Sequence, residues 1–200
     1  MAGPMNDASV PPANHRDRLL AGLAETLERK SFRQITLSDI AEAARVSRRT
    51  FYEHFQNKEA CFLALCEDVG RHVMGAIQRA GTADKSWSEQ VKWTTHAYLS
   101  VVEARPLLMK ALYIELATLG EVGMNMRRQV VEQFARYLQG QIEMQRQRGE
   151  PVMSLSLPMG VAIVAGINEL ILYRLGGDQT RSLLELAVDA EELILRVSRE

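Results

Sequence analysis

The chain has 200 residues, 46% of them hydrophobic, with a formal net charge of -1 at pH 7. That length allows one or two domains around a real core, and the apolar share excludes a disordered chain. A charge this close to zero excludes any inference from bulk charge, so a polyanionic partner must be argued from local clusters.

Frequent Leu, Ala, Glu, Arg and Gln, six prolines clustered partly at the start, and no alternating apolar–polar stretch predict an all-α chain. Residues 1–13 are small, polar and proline-containing, and are expected to be a disordered tail; they lack the basic-then-apolar pattern of a secretory leader. Asn14 with Asp17 can cap a first helix ending near Lys30. Its inward face is Leu19, Leu20, Leu23, Ala24 and Leu27, with Phe32 packing behind.

Residues 35–59 are the most informative stretch. Thr36 is a good N-cap, Asp39 completes an approximate capping box, and Ile35 and Ile40 have the spacing of a hydrophobic staple. Ser47 caps the next helix, where Phe51 and Phe55, four apart, should pack inward. Arg48, Arg49, Tyr52 and His54 are left on other faces, and Asn57 can cap a helix starting at Lys58. Only Arg45 and Val46 lie between the first of these helices and the Ser47 cap, so the two helices must cross steeply, as in a helix-turn-helix. Between residues 45 and 58 only Glu53 opposes Arg45, Arg48, Arg49 and Lys58, so the segment is locally basic. A capped helical hairpin with solvated arginines is the plainer alternative; the arginine pair at the helix start favours DNA.

The segment resembles the N-terminal domain of the TetR family of one-component transcriptional regulators. The resemblance is carried by Thr36, Ile40-Ala41, Ala44-Arg45-Val46-Ser47, Thr50-Phe51-Tyr52, His54-Phe55 and Lys58, over roughly a quarter of the chain. Arg49 is a departure, since many relatives have Gly there. The resemblance implies a helix-turn-helix domain over 14–60, joined by a long helix to a helical ligand-binding and dimerisation domain over 61–200. It implies a DNA-binding regulator, more often a repressor than an activator, released from a near-palindromic operator by a small hydrophobic effector. Arg48 and Arg49 would reach the major-groove floor, where Arg bonds guanine in a fork, and Thr50 a base methyl or phosphate. By resemblance Thr36, Tyr52 and His54 lie along the phosphates, and Ser47 belongs to the same surface. Lys58 would meet a phosphate at its helix N-terminus.

The helix from Lys58 to about Ala80 presents Phe62, Leu65, Val69 and Val73 on one stripe. It also holds both cysteines, Cys61 and Cys66, which read as small buried hydrophobes, with redox sensing as the alternative. Ser86 and Glu89 form a capping box opening a helix to Ala104, and Pro106 starts another to about Thr118. Gly120 and Gly123 should loosen the next loop, before a long helix from Met124 to Arg148. Two helices close the chain, over 157–175 and 180–197. The first is apolar on nearly all sides, which predicts burial by a second subunit in a four-helix homodimer interface, a monomer core helix being the alternative. The predicted interface is Gly160, Ile163, Ile167, Leu170, Ile171, Leu184, Ala187, Glu191 and Ile194.

Candidate effector-lining residues are Trp93, Ala97, Met109, Leu112, Tyr113, Met124, Phe134, Tyr137 and Met159, although such a stripe is also what plain core looks like. Glu115, Asn168 and Glu169 are polar groups among apolar neighbours that could orient an effector or bond across subunits. The uninterrupted apolar run over 157–167 is shorter than the roughly 18 residues a bilayer needs, so a cytoplasmic protein is expected. No catalytic motif, phosphate-binding Gly loop, Glu-x-x-His pair or zinc spacing occurs, and the four histidines are scattered. No cofactor or metal is expected. An enzyme and a helical adaptor are the remaining, weaker readings.

Overall fold

The structure is a computed structural model that describes residues 14–81, 85–177 and 181–199. The described residues form helices α1 His15–Leu27, α2 Leu37–Ala43, α3 Arg48–His54, α4 Lys58–Ala80, α5 Trp87–Ala104, α6 Pro106–Thr118, α7 Gly120–Gln147, α8 Leu157–Gly176 and α9 Ala187–Ser198. Two short 3-10 turns, Phe32–Gln34 and Leu183–Leu186, complete the order. The expected tail over 1–13 lies outside the described residues.

The chain divides into two compact units, one ending at Ala64 and the other beginning at Leu65. The division falls inside α4, four residues beyond the boundary expected from the sequence. In the first unit, α1, α2 and α3 close over Leu19, Leu23, Ile40 and Phe51, all fully buried, with Ile35 and Phe62 completing the core. The absence of a side chain at Gly22 makes this possible: a Cβ there would stand 2.7 Å from the Ala44 nitrogen and 3.0 Å from the Ile40 oxygen. So α1 lies backbone-to-backbone on the end of α2.

In the second unit α7 packs along α8, and α5 along α9. Each helix start is explained locally. Ser86 and Glu89 form the expected capping box on α5, Pro106 is in the first turn of α6, and the Ser156 side chain accepts from the Met159 backbone at the start of α8. The C-terminal end is tied down by three contacts. Trp87 Nε1 donates to Ser198 Oγ at 2.7 Å, Met153 N donates to the Ser198 carbonyl at 2.9 Å, and Val152 bridges Arg199.

Three expectations are corrected here. The loop expected over Gly120–Gly123 is helix: α7 begins at Gly120, directly after Leu119. Gly123 is helical and buried, and a Cβ on it would sit 1.9 Å from the Leu116 oxygen, so it permits close approach to the end of α6 rather than loosening a loop. The last helix does not begin near Thr180, which lies outside the described residues. Leu183–Leu186 are a 3-10 turn, held from α5 by Glu103, whose carboxylate accepts from Ser182 Oγ at 2.5 Å and Leu183 N at 2.8 Å. Counted as a whole helix rather than by its unbroken run, α8 is long and apolar enough to cross a membrane, and only 28% of its apolar window is buried within this chain.

Candidate DNA-binding site and ligand cavity

The helix-turn-helix is built from backbone groups satisfied by short polar side chains. Thr36 Oγ1 accepts from Asp39 N at 3.2 Å while Asp39 Oδ2 accepts from Thr36 N at 2.8 Å, a complete capping box. Lys30 Nζ donates to Asp39 Oδ1 at 2.8 Å. The Lys30 ammonium and the Thr36 donors hold the Asp39 carboxyl well below the usual carboxylate range.

Helix α2 ends in a Schellman turn: Val46 N donates to Ala41 O at 2.9 Å and Arg45 N to Glu42 O at 3.0 Å. Arg45 takes the left-handed position, φ 52°, where glycine is usual. Its carbonyl accepts from the Arg18 guanidinium at 2.6 Å, which fixes the turn to α1. Ser47 Oγ accepts from Thr50 N at 3.0 Å and pairs with Thr50 Oγ1 at 2.9 Å. These two hydroxyls therefore cap α3.

The faces of α3 separate as the sequence predicts. Phe51 is fully buried, whereas Arg48, Arg49 and His54 are exposed and Tyr52 is 54% exposed. Arg49 Nε lies 3.4 Å from Glu53 Oε1, one turn along the helix; an exposed pair of this kind holds the guanidinium loosely. Phe55 is buried, but not as a helical residue. It is the C-cap, with extended backbone, and its ring enters the core 5.8 Å from that of Phe51.

Lys58 is placed differently from the expectation of a phosphate contact. Its ammonium is half-buried, donating to the carbonyls of Phe32 at 3.0 Å and Ile35 at 2.9 Å, and stands 4.7 Å from the centre of the Phe32 ring. Two of its three donors thus close the 3-10 turn onto α4, a role invisible in the sequence because the turn itself was not foreseen.

Within the second unit lies a cavity of about 160 Å³, partly open to solvent. Five of the nine expected lining residues are on it: Met109, Leu112, Tyr113, Phe134 and Tyr137. The other four are not. Trp93, Met124 and Met159 are about half-exposed on the outside of their helices, Trp93 lying under the Lys85 ammonium, and Ala97 is partly covered elsewhere. One apolar residue per helical turn does not specify which side of a helix faces the cavity. Of the three polar candidates Asn168 is on the wall, Glu115 is not, and Glu169 is exposed. The sequence reading missed Tyr98, whose hydroxyl lies 2.7 Å from Tyr113 Oη and 2.6 Å from Asn168 Oδ1. Burial raises the pKa of both phenols, so both stay protonated at neutral pH.

Six of the nine expected interface residues are inside this chain's own core. Ile163, Ile167 and Ile171 form the inward stripe of α8; Gly160 sits against Ala135 of α7; Ala187 and Ile194 are the inward face of α9. Leu170 and Leu184 are partly exposed, and Glu191 is within 3.5 Å of His96 of the same chain. The residues presented outward are instead Met159, Ala162, Glu169 and Tyr173 on α8, the last 83% exposed, and Val188 on α9, 71% exposed. A 3.6-residue period fixes that there are two faces to an all-apolar helix, not which one the chain keeps. Cys61 and Cys66 are buried thiols, each pushed up to about 12 by burial, which fits small core residues.

A capped turn, a buried aromatic anchor and an outward row of arginines define a helix-turn-helix regulator domain. Comparison with known proteins bears on this segment: residues 19–65 match bacterial regulatory proteins of the tetR family. Over 51 residues it is 43% identical to the HTH-type transcriptional regulator EthR of Mycolicibacterium smegmatis, covering 26% of this chain and 24% of that protein. It is 27% identical over 114 residues to the nucleoid occlusion factor SlmA of Shewanella frigidimarina, 57% of each chain. The chain thus spans between a quarter and somewhat over half of these relatives' lengths. The fold extends further. The fatty acid degradation regulator FadR from Bacillus halodurans aligns with TM-score 0.80 at 20% identity, covering 93% of this chain and 97% of that one. FadR from Bacillus subtilis, solved in complex with stearoyl-CoA, aligns with TM-score 0.78 at 19% identity over 90% and 97%. EthR and both FadR proteins are named as regulators.

Proposed function

We propose that the protein is a cytoplasmic, homodimeric repressor that binds a near-palindromic operator in double-stranded DNA and is released by a small apolar effector. The observation that carries the DNA reading is the division of α3, with Phe51 fully buried and Arg48, Arg49, Tyr52 and His54 outward. Arg48 and Arg49 read base edges in the major groove, and Thr36, Tyr52 and His54 line the phosphates. Ser47 and Thr50 contribute as the cap that aims the helix, their hydroxyls already bonded to each other. Lys58 braces the domain with two of its donors and offers the third to a phosphate at the α4 start.

The homodimer reading is supported by α8, a helix with the hydropathy of a membrane span of which only 28% of the apolar window is fully buried within its own chain. A second copy is the natural cover, and two copies supply the two heads a dyad-symmetric site needs. The effector reading rests on the apolar cavity. An effector that binds one conformation of the dimer better than the DNA-bound one lowers operator affinity by linkage, through α4, which belongs to both units. Selection of bound duplexes from a random pool tests this directly. An enriched motif with dyad symmetry is expected; a pool that stays random at moderate ionic strength, with folded protein, would reject the DNA reading.

A further inference from the structure

The cavity of the second unit is apolar almost throughout, and none of its lining residues carries a charge at neutral pH. A carboxylate or ammonium moved into it would lose its water with no charged group on the wall to pair with, Arg127 acting only from behind Tyr113, so the wall disfavours charged ligands. Its polar groups sort into those already satisfied and those that are not. The two phenol protons stay within the Tyr98–Tyr113–Asn168 cluster, where Asn168 Oδ1 receives Tyr98 at 2.6 Å and Tyr113 at 3.3 Å. The Thr94 hydroxyl is also satisfied, donating to Gln90 O at 2.7 Å in the helix's own preceding turn.

Two groups remain. The amide N–H donors of Asn168 have no partner among the described residues, since its hydrogen bonds all end on the carbonyl oxygen. Thr95, next to Thr94 and only 5% exposed, likewise has no partner for its hydroxyl among the described residues. No unpartnered polar side-chain atom among the described residues is sealed from a water-sized probe. Thr95 is on the cavity wall, and we assign its unpartnered, unsealed hydroxyl to that cavity. Both groups are donors, and both stand in an apolar wall that offers a competing molecule few other hydrogen bonds.

We propose that this cavity selects a neutral carbonyl compound, an ester, amide or ketone on an apolar body, whose oxygen accepts hydrogen bonds from Asn168 and Thr95. The inference rests on the reading of the cavity as an effector site. The Tyr98–Tyr113 pair positions the Asn168 side chain by occupying its oxygen, which turns the amide nitrogen to the ligand. A site built to donate to a carbonyl discriminates against analogues lacking it, because its donors are then left unpaired.

The test uses the full-length protein and three probes of matched chain length, about ten carbons: a methyl ester, the free acid and an ether with no carbonyl. Affinity is read by calorimetry near neutral pH, on the wild type, Asn168→Leu and Thr95→Val. Thr95→Val keeps the side-chain shape and guards against a fold defect in the other variant. The ester is expected to bind at least about tenfold tighter than the acid and the ether. Each substitution is expected to lower ester affinity about tenfold while leaving the ether unchanged. Equal or tighter binding of the acid, or an ester-to-ether ratio that neither substitution moves, overturns the inference while leaving an effector site standing. Failure of all three probes to bind rejects the effector reading itself, and this inference with it.

Discussion

Arg45 occupies a left-handed backbone position that a side chain makes unfavourable, and it does so in the turn that sets the angle between α2 and α3. Its side chain is exposed, and the contact that fixes the turn is made by its backbone carbonyl to Arg18. Arg45→Gly should therefore stabilise the protein by about 1 kcal/mol, seen as a higher thermal midpoint. A lower midpoint would mean that the aliphatic stem contributes more than the strain costs. Asp39 gives a pH signature. Its carboxyl pKa is depressed in the fold, first by Lys30 and then by Thr36, so its contribution is complete above the unfolded value of about 4 and is lost as pH falls below it. Asp39→Asn should flatten the acid-side loss of stability measured by thermal denaturation from pH 5 downward; an unchanged acid limb would remove Asp39 from that role. Single residues such as Thr36, Ser47 and Ser86 were legible because a cap is a local pattern. Tyr98 with Asn168 was not, since residues 70 apart in sequence meet only through the packing of α5 and α8.

Among the elements, α2, α3, α5 and α6 were readable to within a residue, because a cap or a proline marks each start. Starts without such a mark were misplaced: α7 opens on Gly120, and the Leu183–Leu186 turn is held by Glu103, a partner 79 residues away from Ser182. The apolar helix α8 shows the same limit. Its composition implied two covered faces, and the choice between them followed from packing on Ala135 and the α9 stripe, which no periodicity encodes. The outward face now makes a distinct prediction. Tyr173→Arg places a charge on the exposed side, so it should shift sedimentation equilibrium towards monomer without lowering helix content by circular dichroism. A variant that stays dimeric at micromolar concentration would move the interface elsewhere.

The whole molecule combines two units that α4 passes through, one with the helix-turn-helix that matches the tetR-family model and one with a cavity and a partly exposed apolar helix. The helix-turn-helix was visible in the sequence, since the motif is short, contiguous and capped, whereas the cavity is assembled from helices α4 to α9 and was only half-located. The proposed switch requires both parts to respond to each other, and its central step is groove recognition by α3. The most direct measurement is a salt-dependent binding titration of wild type and Arg49→Ala on an enriched duplex and on single-base variants of it. The variant should lose about 1–3 kcal/mol on the enriched duplex and tolerate changes at one or two base pairs that the wild type rejects. Equal weakening on every duplex, with the base preferences intact, would contradict base recognition by Arg49 and reduce it to a phosphate contact.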